Sequence, residues 1–307
     1  MREAAFDKNG KYQIPETCNL CPRNCNADRE KKMGACGSGR FMTVAKADLH
    51  MWEEPCISGG KGSGAVFFSG CALHCVYCQN ISISEGSCGK TVSVDDLKDI
   101  FSELVEKGAD NINLVTGDHF IPLIAEAVAS VKAAGSDLTF IYNCSGYEKA
   151  EVLKCLDGLI DVYLPDFKYM ETETAEKYSR APDYPEVARS ALKEMVRQRP
   201  QCSFDESGLI REGVIVRHLL LPGQVMNAKR VLRYLYETYG DQIYISIMSQ
   251  YTPMPGISDR FPELGRRVRK AEYDRIVDYA IKLGINKAYI QDRSVADTGF
   301  IPDFKKE

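Results

Sequence analysis

From about residue 64 onward the chain alternates short runs rich in β-branched and aromatic residues with longer amphipathic stretches, six times over. The runs "AVFFS" (65–69), "NINLVT" (111–116), "LTFIYN" (138–143), "LIDVYL" (159–164), "GVIVRHLLL" (213–221) and "QIYISIM" (242–248) predict strands. The stretches 94–108, 121–135, 148–158, 184–199, 227–240 and 269–284 predict helices, most of them stopping at a glycine (Gly108, Gly135, Gly158, Gly240, Gly284). Strands separated by helices pair in parallel, because a parallel pair needs a crossover that a tight turn does not supply. The fold class is therefore α/β. Six units rather than eight suggest a partial (β/α)6 barrel of the TIM type, with an open doubly wound sheet as the alternative that periodicity leaves standing. Either way, chemistry collects at the C-terminal ends of the strands.

Residues 1–63 read as a small cysteine-rich, metal-stapled appendage, 64–290 as the barrel and 291–307 as a C-terminal tail. So short a first piece cannot bury enough apolar surface to hold itself together. Hydrophobic residues at 44% and charged residues at 27% are ordinary for a globular protein and give no sign of disorder. A net charge of -4 offers no attraction to phosphate backbones or anionic lipid. The basic run "RRVRK" (266–270) reads as a solvated helix face rather than a nucleic-acid contact. The N-terminal stretch lacks the apolar segment of a signal peptide, and no window reaches the apolar length of a membrane helix. The expectation is a cytoplasmic protein with neither a nucleic-acid nor a membrane partner. In a reducing compartment, twelve cysteines in a chain of 307 residues argue for metal ligation over disulfides.

Seven of those cysteines fall in two tight groups. Cys71, Cys75 and Cys78, in "GCALHCVYCQN" (70–80), have the spacing C-x3-C-x2-C on a loop directly after the first predicted strand. Three thiolates so placed can curl around one 4Fe-4S cluster, each on a separate iron, leaving the fourth iron without a protein ligand. Structural sites are normally closed, whereas a site that does chemistry keeps a position open. The plainer alternative is a zinc knuckle or three buried thiols. Cys18, Cys21, Cys25 and Cys36 give C-x2-C-x3-C-x10-C, which suits either a tetrahedral zinc or an auxiliary 4Fe-4S cluster; spacing does not decide between them. Cys56 reads as a buried free thiol.

With Tyr77 at the aromatic position of C-x3-C-x-aromatic-C, the chain resembles the radical S-adenosylmethionine (SAM) superfamily. The resemblance implies that SAM chelates the open iron through its amino and carboxylate groups and is cleaved reductively, giving a 5'-deoxyadenosyl radical that takes a hydrogen atom from the substrate. Through "EEPCISGGKGSGAVFFSGCALHCVYCQN", "YLPDFKY" and "MSQYTP", nearly the whole chain is similar to the pyruvate formate-lyase activating enzymes, and more closely to relatives that carry an N-terminal cysteine-rich segment. That similarity implies a glycyl-radical protein as substrate and flavodoxin or ferredoxin as electron donor. The rivals are radical modification of another peptide or a small molecule and, outside the enzymes, a zinc-stabilised binding module.

The same resemblance assigns roles to further residues. Asn80 matches an asparagine that follows the third cysteine in the activating enzymes. Gly117 and Asp118 in "TGDHF" stand where many relatives have Gly-Gly-Glu, whose backbone receives the SAM amino group; His119 either faces the site or caps the loop. Asp166 and Lys168 match an Asp-x-Lys in which the lysine reaches SAM and the aspartate helps to hold a monovalent cation. Asn143 stands where those enzymes have an acidic residue, a departure that puts the cation in doubt. Arg217 suits a bidentate grip on the SAM carboxylate or a substrate anion, and its neighbour His218 must point to the opposite face. Gln250 and Tyr251, ending the sixth strand, either line the substrate cavity or pack in the wall.

Overall fold

A computed structural model describes residues 17–86 and 88–291. Its strands are β1 (Met42–His50), β2 (Ser63–Phe68), β3 (Lys90–Val92), β4 (Asn111–Val115), β5 (Thr139–Cys144), β6 (Val162–Pro165), β7 (Ser203–Phe204), β8 (Ile210–Leu219), β9 (Tyr244–Met248) and β10 (Ala288–Ile290). The six strands expected from the sequence are β2, β4, β5, β6, β8 and β9, and they pair in parallel, in chain order. A doubly wound sheet turns back on itself at a switch point. This order never reverses among the described strands, so the barrel-type path is the one adopted.

β10 extends the parallel run at one edge, while β1 pairs antiparallel with β2 and β3 antiparallel with β1 at the other. The stretch 42–58, grouped with the cysteine-rich segment by its sequence, thus supplies a strand and the short turn Pro55–Ser58. Residues 1–16 of the expected appendage and 292–307 of the expected tail lie outside the described residues. Among the described residues no helix is long and apolar enough to cross a membrane.

Local signals account for the helices. Ser93 caps Val94–Glu106 in a capping box with Asp96, and Leu97, Phe101 and Leu104 bury the face at helical spacing. Ile121–Ala133, Tyr184–Gln198, Val225–Tyr239 and Lys270–Leu283 follow the expected pattern. The expected helix at 148–158 breaks into Ala150–Leu153 and a 3-10 turn, Lys154–Leu156. Thr172–Ser179 is an additional helix. "RRVRK" lies mainly ahead of its helix rather than on it. Arg269 is extended (ψ 150°), and the Glu272 carboxylate accepts its N–H at 2.8 Å, which starts the helix at Lys270.

The two faces of the sheet divide the work. Ile112, Leu114, Phe140, Tyr142, Tyr163, Val214, Val216, Ile245 and Ile247 face the helices in the main core. The alternate residues face inward, where Ile141, Val162, Leu164 and Ile215 close around Ile57 and Cys56 from the turn after β1. Cys56 is thus a buried thiol in a second apolar cluster, as the sequence suggests. Above that plug the inward face turns polar.

Candidate active site

β2 leads into Gly70, whose φ of 93° lies in the left-handed region. A Cβ there would stand 2.4 Å from Ser38 Oγ and 2.6 Å from the Cys36 carbonyl, so glycine is required both by the turn and by the approach of the N-terminal segment. The loop that follows carries Cys71, Cys75 and Cys78. Cys71 Sγ accepts the Leu73 N–H (3.4 Å), Cys75 Sγ accepts the Ser179 hydroxyl (3.2 Å), and the Asn80 N–H donates to Cys78. Burial, then Cys75, pushes the Cys78 thiol up to about 11, and burial with Asp118 raises Cys71 well above the ordinary range.

Cys71 and Cys78, so buried, stay protonated unless a cation makes thiolates of them, yet donors already point at all three sulfurs of the triad. That donor set fits an iron-sulfur cluster held by three cysteines, which supplies the missing positive charge. Among the described residues no three His, Cys, Asp or Glu side chains converge at metal-bonding geometry, at this triad or elsewhere.

Tyr77 is fully packed, edge-on to Tyr178 and Tyr251. Its hydroxyl meets that of Tyr169 at 2.7 Å, Tyr169 meets Ser179 at 2.8 Å, and Ser179 donates to Cys75. A buried chain of hydroxyls therefore ends on a triad sulfur. Nothing in the local sequence announces it, because Ser179 is brought there by the end of helix Thr172–Ser179.

The end of β6 carries Asp166 and Lys168, paired at 2.5 Å and exposed by 23% and 17%, so a ligand can still reach both. Burial works against the charge on Lys168, but Asp166 and then Cys75 outweigh it and hold the ammonium above its usual range. Burial would likewise raise Asp166, and Lys168 and Arg217 more than offset this, keeping it ionised. Arg217 is spent on the protein itself: Nε donates to Asp166 (3.2 Å), Nη1 to Glu53 (3.1 Å) and Nη2 to Asn143. Glu53 also accepts from Asn113 (2.9 Å) and Asn143 (3.3 Å). His218 points the other way, its Nδ1 on the Phe167 carbonyl at 2.7 Å.

Glu53 and its neighbour Glu54 are residues that sequence reasoning missed. The only local signal is an acidic pair abutting the apolar "PCIS" turn. Burial raises both carboxyls above their ordinary value, with Arg217 opposing, and Glu54 Oε2 has no hydrogen-bond partner among the described residues.

At the end of β4, Gly117 lies against Phe68 and Ile124, where a Cβ would stand 2.4 Å from Ile124 Cδ1. Asp118 is buried with Oδ2 unpartnered among the described residues. His119 caps the loop, its Nε2 at 2.8 Å from the Ser69 carbonyl. Asn80 starts the turn after Cys78. Gln250 Oε1 accepts from Gln291 (2.8 Å), and Tyr251 packs with its hydroxyl on the Leu264 carbonyl (2.6 Å), so both belong to the wall. The structure thus brings Asp118 within electrostatic reach of Cys71, and Tyr77 and Lys168 within reach of Cys75, while Arg217 binds Asp166 and Asn143.

Three cysteines on the loop that leaves the first parallel strand of a partial barrel define a class of enzyme, one that anchors a 4Fe-4S cluster with a corner left free for chemistry. The chain belongs to the radical SAM superfamily, whose profile matches residues 65–235, and members of it cleave SAM reductively at that cluster. An uncharacterized protein of Methanocaldococcus jannaschii is 24% identical over 283 residues, 90% of this chain and 78% of the relative. Among solved structures the fold is similar to that of HydG, a maturase of the FeFe-hydrogenase, with a TM-score of 0.50 and 14% identity over 75% of this chain; the match spans 52% of HydG.

Proposed function

We propose that this enzyme abstracts a hydrogen atom from a glycine backbone of a partner glycyl-radical protein, with flavodoxin or ferredoxin as the source of the electron. The observation that carries the reading is the Asp166–Lys168 pair. It matches the Asp-x-Lys of the activating enzymes, and its ammonium is held charged at the end of β6, within electrostatic reach of Cys75. A 4Fe-4S cluster on Cys71, Cys75 and Cys78 supplies the reducing electron when SAM is bound. The protein's part is to fix the cluster loop, to present Lys168 to the SAM carboxylate region and to keep the reacting carbon away from water. In the activating enzymes the aspartate helps to hold a monovalent cation. Here Asp166 is committed to Lys168 and Arg217, and Asn143 replaces the acidic partner, which argues for ion pairs in place of the cation.

The test is to incubate the anaerobic, dithionite-reduced enzyme with SAM and each purified glycyl-radical protein of the same genome, then record the glycyl-radical signal by electron paramagnetic resonance. A radical in one of them supports the reading. Formation of 5'-deoxyadenosine with no protein radical in any of them replaces it with modification of another peptide or a small molecule.

A further inference from the structure

Residues 17–41 form neither helix nor strand, and Cys18, Leu20, Cys21, Ala27 and Cys36 are their buried apolar residues. A segment of this kind lacks the apolar surface to hold a fixed shape. It is nevertheless tightly turned. The Cys18 N–H bonds to the Ala27 carbonyl (2.9 Å), the Asn26 N–H bonds back to Cys18 (3.0 Å), and Asn24 and Asn26 adopt positive φ.

The sulfurs show what the turns accomplish. Cys21 Sγ receives the N–H of Arg23, Cys25 Sγ that of Ala27 and Cys36 Sγ that of Ser38, in each case from two residues further on. A neutral thiol is a weak acceptor, whereas a metal-bound thiolate is a charged one whose outer partners orient it. Cys18 hydrogen-bonds Cys25, and the sulfurs of Cys25 and Cys36 stand 3.6 and 3.4 Å from the point where a Cβ on Gly34 would be. The hydrogen-bonded pair Cys18 and Cys25 suits neighbouring places in a shell around a single ion; sulfurs on separate corners of a cubane stand a cluster's width apart.

The segment is also tied to the triad loop at point after point. The Cys71 N–H donates to the Cys36 carbonyl (3.0 Å) and His74 Nε2 to that of Ala35 (2.7 Å). Arg23 donates to the carbonyls of Ala72 (2.8 Å), Leu73 (3.1 Å) and Ser179 (2.8 Å), with its guanidinium over the Tyr147 ring.

We propose that Cys18, Cys21, Cys25 and Cys36 bind one tetrahedral divalent ion of the zinc type, and that this ion braces the loop carrying Cys71, Cys75 and Cys78. The brace acts through Arg23 and the carbonyls of Ala35 and Cys36. It is independent of which substrate the radical attacks.

The experiment uses the full chain with its cluster reconstituted without oxygen. Metal analysis is expected to find about one zinc per chain beside the iron. The combined variant Cys71→Ala, Cys75→Ala and Cys78→Ala should lose the iron and keep the zinc. Cys25→Ser should lose the zinc, and amide exchange at 71–74 should speed up by about tenfold or more. Two further measurements stand without Cys25→Ser and its folding. Cobalt substituted into the wild-type chain should give the absorption of a tetrahedral thiolate site, and Arg23→Ala should keep the zinc while loosening 71–74. Wild-type protein with iron only, whether as one cluster or two, overturns the site. Zinc removed by a chelator with no change in exchange at 71–74 overturns the brace.

Discussion

The hydroxyl of Ser179 stands 3.2 Å from the sulfur of Cys75, and Ser179 in turn hydrogen-bonds Tyr169 at 2.8 Å. Hydrogen bonds to ligand sulfurs favour the more negatively charged, reduced state of an iron-sulfur cluster and so raise its potential. Ser179→Ala, with full iron content, is expected to shift the midpoint potential to a more negative value, and Tyr169→Phe to shift it less. A potentiometric titration followed by paramagnetic resonance reads this directly. An identical potential in wild type and S179A would show that the contact does not act on the cluster.

Cys75 is one of three sulfurs for a cluster that has no other protein ligand in this reading. Cys75→Ala should therefore remove most of the iron and all 5'-deoxyadenosine formation from SAM, while Cys56→Ala, in the apolar plug, should leave both in place. Iron analysis and product chromatography on the two variants check the assignment; turnover retained by C75A would defeat it.

Arg217 neutralises Glu53 and Asp166 at 3.1 and 3.2 Å inside the barrel. Replacing it by methionine leaves the buried Glu53 without a cation while Asp166 keeps Lys168, at a cost of about 3–5 kcal/mol. The midpoint of urea denaturation should fall accordingly. Adding Glu53→Gln to Arg217→Met should recover part of the loss, since one uncompensated charge goes with it.

Burial, with Asp118 adding to it, pushes the Glu148 carboxyl up to about 8 from its ordinary 4.5. Between those values the native state keeps a proton that the unfolded chain has released. The contribution of Glu148 to stability is then fully present below about 4.5 and is lost as pH rises towards 8. Glu148→Gln should flatten that decline. Denaturation of wild type and variant at matched pH values between 5 and 8 measures the difference, and parallel curves would refute the shift.

Much of the fold is legible in single residues of the chain. Ser93 with Asp96 marks a helix start, and the glycines after Glu106, Ala133 and Tyr239 fall at or near helix ends. The triad is legible too, because its ligands lie within eight consecutive residues. β1 is less so: it lies between β2 and the short edge strand β3, its burial alternates only at Met42 and Val44, and its pairing with β2 depends on contacts across the loop 51–62.

Glu53, Ser179 and Arg23 carry no local signature of their work. Each acts on a partner far along the chain, Arg217, Cys75 and Ala72 respectively. Spacing and periodicity fix what neighbours in the chain can do together: the six βα units, their parallel pairing, and three thiols that can share one cluster. Only the curved path of the sheet through the fold decides which buried charges meet in the lumen and which hydroxyl reaches a ligand sulfur. Those contacts are set by distances through the folded interior, to which sequence separation gives no guide.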